Sequence, residues 1–237
     1  MNEEQKTMSS PLPLSRPQLI RMALVRLVAG ILLLSALLLL PAGTLNYWQA
    51  WVYLATLFIP MGFVFAYLIA HDPALLERRM RMKEKQQAQA RIIKLGSLCY
   101  ALIFLLPGFD LRFGLSEIPP ALVLAADACV LLGYALFIRV LLENSYASRI
   151  IEVAQDQRVI TTGPYARVRH PMYSAILLMF LATPVALGSG RAMLPAVLLI
   201  AVIVARIIDE ERLLANELKG YAEYMQSTRY RLLPGIW

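Results

Sequence analysis

Residues 171–214 read PMYSAILLMFLATPVALGSGRAMLPAVLLIAVIVARIIDEERLL, and this stretch decides the fold. Its apolar block, 172–208, is longer than the roughly 20 residues that one membrane-spanning helix needs. Pro184, Gly188 and Pro195 interrupt the middle of the block, as is typical of a turn between two helices. The sequence therefore predicts a C-terminal helical hairpin that turns near residues 188–191, and it leaves open whether the short arm 172–186 crosses fully.

Four more apolar runs lie upstream, at residues 22–40, 51–70, 95–109 and 120–142. Hydrophobic residues make up 59% of the 237, whereas soluble domains contain about half. Backbone polar groups in lipid must be satisfied within helices or closed barrels, and no barrel-like alternation is visible. We expect an all-α integral membrane protein with about five to six membrane helices, including the C-terminal hairpin, plus a cytoplasmic C-terminal helix.

The polar segments divide the chain into three parts. Residues 1–20 form a leader that we expect to be disordered, residues 21–142 carry the N-terminal membrane helices, and residues 143–237 hold the polar motifs and the hairpin. Lys and Arg concentrate in alternate polar segments. The positive-inside rule then predicts a multi-pass protein with both termini in the cytoplasm.

The net charge of +7 is carried between the apolar runs, which favours membrane lipids as partners and argues against nucleic acid. Cys99 and Cys129 stand inside apolar runs, with neither a disulfide framework nor zinc-ligand spacing. The sequence predicts no metal site.

The polar motif TGPYARVRHPMY occupies residues 162–173. Gly163 and Pro164 predict a turn, and Pro171 suits the first turn of a helix. Backbone N–H groups at such a helix start can hold a carboxylate, and Arg169 and His170 directly precede it. The alternative is a positively charged interfacial loop without a ligand.

Two further motifs follow: RIIDEERLL at 206–214, and GYAEY at 220–224 with RYRLLPGIW at 229–237. Arg206 precedes Glu210 by four residues, so both share a helix face. A carboxylate there can bond ribose hydroxyls or an ammonium group, or it can simply form an intrahelical ion pair. Tyr221 and Tyr224 also share a face, where they can cover an adenine or a sulfonium, or else anchor the chain at the interface.

Taken together, the order and spacing of these motifs resemble the isoprenylcysteine carboxyl methyltransferase family, which is similar here to bacterial phospholipid N-methyltransferases. The resemblance covers 144–237 and begins at NSYAS, residues 144–148, while DPALLERR at 72–79 is a weaker echo. It implies an S-adenosylmethionine site between the loop, the hairpin and the tail. The implied cofactor-binding residues are Gly163, Pro164, Tyr165, His170, Pro171, Tyr173, Glu210, Glu211, Tyr221 and Tyr224.

The resemblance also implies methyl transfer to a lipid-like or prenylated acceptor, with carboxyl O-methylation as the leading reading. Arg206 and Arg169 are then the candidates that orient a carboxylate, and Glu210 or Glu211 would take a proton from an amine. Phospholipid N-methylation and small-thiol S-methylation stay open. Outside methyl transfer, the alternatives are a transporter or scaffold and a nicotinamide-dependent enzyme like the sterol reductases.

Overall fold

The computed structural model describes residues 15–80, 87–144 and 158–237, with only the backbone described at 78, 80 and 87–93. Most of the predicted leader, residues 1–14, and Ser145 to Ser148 of the NSYAS motif lie outside the described residues. The described part contains a 3-10 turn at Gly163–Ala166 and eight α-helices: α1 Arg16–Ala42, α2 Trp48–His71, α3 Pro73–Met80, α4 Gln87–Phe113, α5 Pro120–Glu143, α6 Pro171–Ala186, α7 Met193–Glu217 and α8 Tyr221–Ser227.

The all-α prediction is confirmed over the described residues, none of which lies in a β-strand. Four segments are long and apolar enough to cross a membrane: α1, α2, Lys94–Phe113 within α4, and α5. Helix α6 is apolar but has only 16 residues. The predicted total of five to six membrane helices, and the crossing of both hairpin arms, remain predictions.

Several helix boundaries differ from those that hydropathy indicates. Helix α1 begins at Arg16, inside the predicted leader, where the Ser15 amide donates to Gln18 Oε1 at 2.9 Å. Helix α7 continues through the polar residues to Glu217, and Gly220, at φ 88°, separates it from α8. Helix α3 lies in a polar stretch for which no helix was predicted, and it packs on α1 and α2 through the buried Leu75 and Leu76.

The most extensive packing joins α5 to α6. Gly133 makes their close approach possible, since a Cβ at this position would lie 2.5 Å from Met179 Cγ and 3.1 Å from the Ala175 carbonyl oxygen. Helix α7 packs against both α4 and α6. The first turn of α6 is therefore held rigidly beside the last polar turns of α7.

Three connections meet at one end of the helix bundle. Tyr47, before α2, donates its hydroxyl to the Leu187 carbonyl at 2.6 Å. Asp110, near the end of α4, accepts hydrogen bonds from Ser116 Oγ at 2.9 Å and from Ser189 Oγ. The α1–α2, α4–α5 and α6–α7 connections thus share one end, and the polar motifs occupy the other. The two groups of segments therefore lie at opposite ends of the bundle, as the predicted topology with basic segments on one side of the membrane requires.

We predict that single cysteines at Leu45 and Glu117 are labelled from one side of the membrane, and a cysteine at Glu223 from the other. All three positions are exposed, and Cys99→Ala with Cys129→Ala supplies the background. An impermeant maleimide applied to intact and permeabilised cells measures the sidedness. Labelling of all three positions from the same side would contradict the predicted topology.

Candidate functional site

One buried carboxylate organises the polar end of the bundle. Glu211, on α7, is 4% exposed, and its Oε1 accepts from Arg169 Nε at 2.6 Å and lies 3.2 Å from His170 Nε2. Its Oε2 accepts from Arg231 Nε at 2.7 Å. Glu211 therefore joins α7 to the residues before α6 and to the C-terminal tail through charge-assisted hydrogen bonds.

The tail is fixed by backbone contacts as well. The amides of Arg169 and His170 donate to the carbonyls of Tyr230 and Arg231, each at 2.9 Å. Arg169 Nη1 also donates to the carbonyls of Thr228 and Arg229, each at 2.8 Å. The guanidinium of Arg169 is thus occupied by Glu211 and by the tail, which makes it a structural link within the site.

The ionisation of Glu211 follows from these contacts. Burial alone would raise the pKa of Glu211, but the hydrogen bonds from His170, Arg169 and Arg231 outweigh it and lower the pKa to about 2. Two guanidinium groups against one carboxylate leave an excess of one positive charge even with His170 neutral. The cluster therefore favours an additional negative group nearby.

A second set of contacts joins the first turn of α6 to α7. The Tyr173 hydroxyl donates to Glu210 Oε2 at 2.6 Å, and Arg206 Nε donates to the same hydroxyl at 2.9 Å. Arg206 and Glu210, predicted to share a helix face, thus both bond the Tyr173 hydroxyl. Glu210 is half-buried, in contrast to its neighbour Glu211, so it remains accessible beside the tyrosine.

Hydrogen bonds fix both the backbone and the side chain of Tyr165, which lies in the 3-10 turn. Tyr224 Oη donates to its carbonyl at 2.7 Å, and Asn144 Nδ2 donates to its hydroxyl at 2.9 Å. Burial raises the pKa of Tyr165 to about 12, so the phenol stays protonated at neutral pH. Negative charge on Glu210 acts in the same direction, which indicates that the two residues are near one another.

The backbone of the 3-10 turn depends on Gly163. Its φ of 57° is left-handed, and a Cβ there would lie 2.5 Å from Glu143 Oε2. Glu143 also accepts from Thr162 Oγ1 at 2.5 Å and pairs with Arg139 Nη1 at 3.1 Å. The end of α5 therefore positions the turn that presents Tyr165.

Tyr221 contributes a buried hydroxyl that has no hydrogen-bond partner among the described residues. The residue is 4% exposed, and its ring centroid lies 5.7 Å from that of Tyr224. Burial raises the pKa of Tyr221, and the charges of Glu211 and Glu210 raise it further, so the hydroxyl stays protonated. An unsatisfied buried donor beside two carboxylates is suited to a ligand that accepts a hydrogen bond.

The structure brings most of the predicted site residues to this end of the bundle. Tyr165, His170, Tyr173, Glu210, Glu211, Tyr221 and Tyr224 belong to the connected contacts described above, together with Arg169 and Arg206. Gly163, Pro164 and Pro171 instead line a separate groove beside α5. Pro171 lies about 200° around α6 from Tyr173. The cofactor contacts of all ten residues stay predictions.

Sequence reasoning did not assign three residues that contribute here. Arg231 stands in the tail motif, but its pairing with Glu211 required the fold. Glu143 has no local signal, since its partner turn is 20 positions downstream. Arg79, on α3, donates from Nη1 to Met172 Sδ at 3.4 Å and lies 5.2 Å from the Phe137 ring centroid. Its charge lowers the pKa of Tyr165, so α3 also borders the site.

We predict that Glu211→Gln lowers the free energy of unfolding by about 3–5 kcal/mol, because it leaves the buried Arg169 without its carboxylate. The folded-state pKa of about 2 lies below the unfolded value of 4.5, so the contribution of ionised Glu211, about 3 kcal/mol, is present above pH 4.5 and is lost as pH falls towards 2.

The measurement is the unfolding midpoint in detergent between pH 7 and pH 3. The wild-type protein should lose stability at the acid end of this range, while Glu211→Gln should start lower and vary less with pH. Glu217→Gln, on the exposed end of the same helix, is the matched control and should behave like the wild type. Equal stability of the two variants at pH 7 would contradict the role given to Glu211.

A comparison with protein families matches residues 122–220 to the family described as phospholipid methyltransferase. No curated protein matches the chain. The matched segment starts in α5 and ends at Gly220, so it includes the 3-10 turn, α6 and α7 with Glu210 and Glu211. The resemblance carried by the motifs is confirmed over this segment: residues 122–220 are similar to the phospholipid methyltransferase family, which supports a membrane methyltransferase.

Proposed function

We propose that the protein transfers a methyl group from S-adenosylmethionine to a lipid-like or prenylated acceptor at the cytoplasmic face of the membrane, with carboxyl O-methylation as the leading reaction. The observation that carries the proposal is the pair of adjacent carboxylates with different surroundings. Glu211 is buried among cations, while Glu210 is half-buried beside Tyr173. The family match at residues 122–220 supports methyl transfer as the reaction class.

The residues present fit this zwitterionic cofactor. Its ammonium and sulfonium groups are cations, and Glu210 with the neighbouring tyrosine rings offers a carboxylate and aromatic faces to them. Its carboxylate is an anion, which suits the excess positive charge around Arg169, His170 and Arg231. The unpartnered hydroxyl of Tyr221 would donate to the ribose or to the carboxylate. Bound here, the cofactor would supply a methyl group that is already activated.

The acceptor role fits Arg206 better than Arg169. Arg169 Nε and Nη1 are engaged by Glu211 and by tail carbonyls deep in the site. Arg206 lies at the edge of the membrane portion of α7, where its Nε donates to Tyr173. A carboxylate acceptor is ionised near neutral pH and needs no general base. Arg206 would then orient it by a planar charged contact, and Tyr173 would hold Arg206 in place.

The family match also supports an amine acceptor, since it is to phospholipid methyltransferases. An ammonium must lose a proton before it can attack a methyl group, and Glu210 is the carboxylate next to the proposed acceptor residue. Small-thiol S-methylation remains a third reaction of the same class. Transfer of labelled methyl groups to extracted lipids and to small acceptors separates the three, and binding of NADPH in place of adenosylmethionine would overturn the proposal.

We predict that Glu210→Gln weakens adenosylmethionine binding about ten- to a hundredfold, because it removes a charged hydrogen-bond acceptor from the cofactor's cationic end. Isothermal titration in detergent measures the dissociation constant. Glu217→Gln serves as the matched control on the same helix and should bind normally. Unchanged affinity in Glu210→Gln, with an unchanged unfolding midpoint, would remove Glu210 from the cofactor site.

We predict that Arg206→Lys retains cofactor binding and loses most turnover, because lysine keeps the charge without the planar two-pronged contact. The loss should be larger for a carboxylate acceptor than for an amine. Steady-state kinetics with both acceptor types, together with cofactor titration, provide the readout. Wild-type turnover would exclude Arg206 from the acceptor site, while lost cofactor binding would assign it to the cofactor instead.

A further inference from the structure

A groove of about 530 Å³ lies beside the proposed site, between α5, the 3-10 turn, the start of α6 and the tail. Its floor is apolar, formed largely by Leu136, Pro171, Leu232 and Leu233. Arg139 and Arg167 stand at its rim, and both side chains are exposed. An apolar floor with cations at one end has the chemistry of a lipid site.

Neither Tyr173 nor Glu210 lines the groove. On α6, Pro171 and Ser174 line it, and a helical step of 100° per residue places Tyr173 about 200° from Pro171 and about 100° from Ser174. At Gly133, α5 packs tightly against Ala175 and Met179 of α6. Of the predicted cofactor residues, Gly163, Pro164 and Pro171 line this groove, whereas Tyr173, Glu210 and Arg206 do not.

The groove continues into a surface suited to an acyl chain. Leu132 on α5 lies one helical turn from Leu136 and is 64% exposed, and Leu178 on α6 lies one turn from Ser174 and is 39% exposed. Both leucines lie farther from the polar end than the groove residues, on two adjacent helices with exposed apolar side chains. A chain lying between these helices would meet the arginines at the end of the bundle that we place in the cytoplasm.

The charges at the rim favour an anion. Arg139 is paired with Glu143 at 3.1 Å, whereas Arg167 has no ion pair among the described residues and only its backbone amide, bonded to the Pro164 carbonyl, is engaged. We propose that this groove binds one anionic phospholipid, with its phosphate at Arg167 and Arg139 and an acyl chain along Leu136 and Leu132. The site does not depend on the reaction, since it requires no methyl transfer.

The test is native mass spectrometry of the full-length protein in mild detergent, titrated with phosphatidylglycerol or with phosphatidylcholine. Arg167→Gln should weaken phosphatidylglycerol retention about fivefold, and Arg139→Gln combined with it should weaken retention further, since one cation near a membrane surface contributes about that factor. Arg212→Gln is the control, an exposed arginine at the same end that lies outside the groove. It should retain the lipid like the wild type.

A second variant tests the apolar floor without removing charge. Leu136→Trp fills the groove below the arginines and should also reduce retention of phosphatidylglycerol, while the unfolding midpoint reports whether the fold is kept. Equal retention in Arg167→Gln and wild type would overturn the site, as would equal retention of phosphatidylcholine. Loss of the same size in Arg212→Gln would show general charge attraction instead. Displacement of the lipid by millimolar inorganic phosphate would assign the groove to a free anion.

Discussion

The hydrogen bonds of Glu211 are the constraint on which the polar end of this protein depends. One carboxylate receives Arg169, Arg231 and His170, which come from the segment before α6 and from the tail. Leaving the buried Arg169 or Glu211 without its partner would be costly, so the carboxylate and the guanidinium must assemble together. Helix α7, the start of α6 and the C-terminus are consequently locked in one geometry, and the tail is part of the site.

The same constraint explains why Glu210 and Glu211 differ. Adjacent residues on a helix point about 100° apart, so fixing Glu211 towards the tail turns Glu210 towards Tyr173. Three successive residues of α6 likewise contact different elements. Met172 Sδ accepts from Arg79, the Tyr173 hydroxyl donates to Glu210 on α7, and Ser174 Oγ donates to the Leu232 carbonyl at 2.7 Å. A single helical turn thus contacts three different elements, and it is kept in register by the close packing of α5 against α6.

Much of this organisation could be predicted from the sequence, but only where the signal is local. The long apolar runs predicted the major helices, and the family resemblance of the motifs indicated Tyr173, Glu210 and Tyr224, which lie at the same end of the bundle. Helix α3 was missed because eight residues, three of them charged, produce no hydropathy signal. The different burial of Glu210 and Glu211 depends on the position of Arg231, some 20 residues away, which no local pattern encodes. Ser145 to Ser148 lie outside the described residues, so their predicted role in the cofactor loop stays a prediction.

The continuity of α7 has a consequence for the proposed reaction. Arg206 and Glu210 lie one turn apart on an uninterrupted helix, so their separation along the axis is about 6 Å and does not depend on a loop. In the proposed function, Arg206 holds the acceptor and Glu210 holds the cofactor. Two reactants held by one rigid helix keep their relative orientation better than two reactants held on separate loops. Because the methyl group is already activated, alignment of the two reactants is the main contribution of the enzyme. Tyr173, bonded to both side chains, then restricts their rotamers from the side of α6.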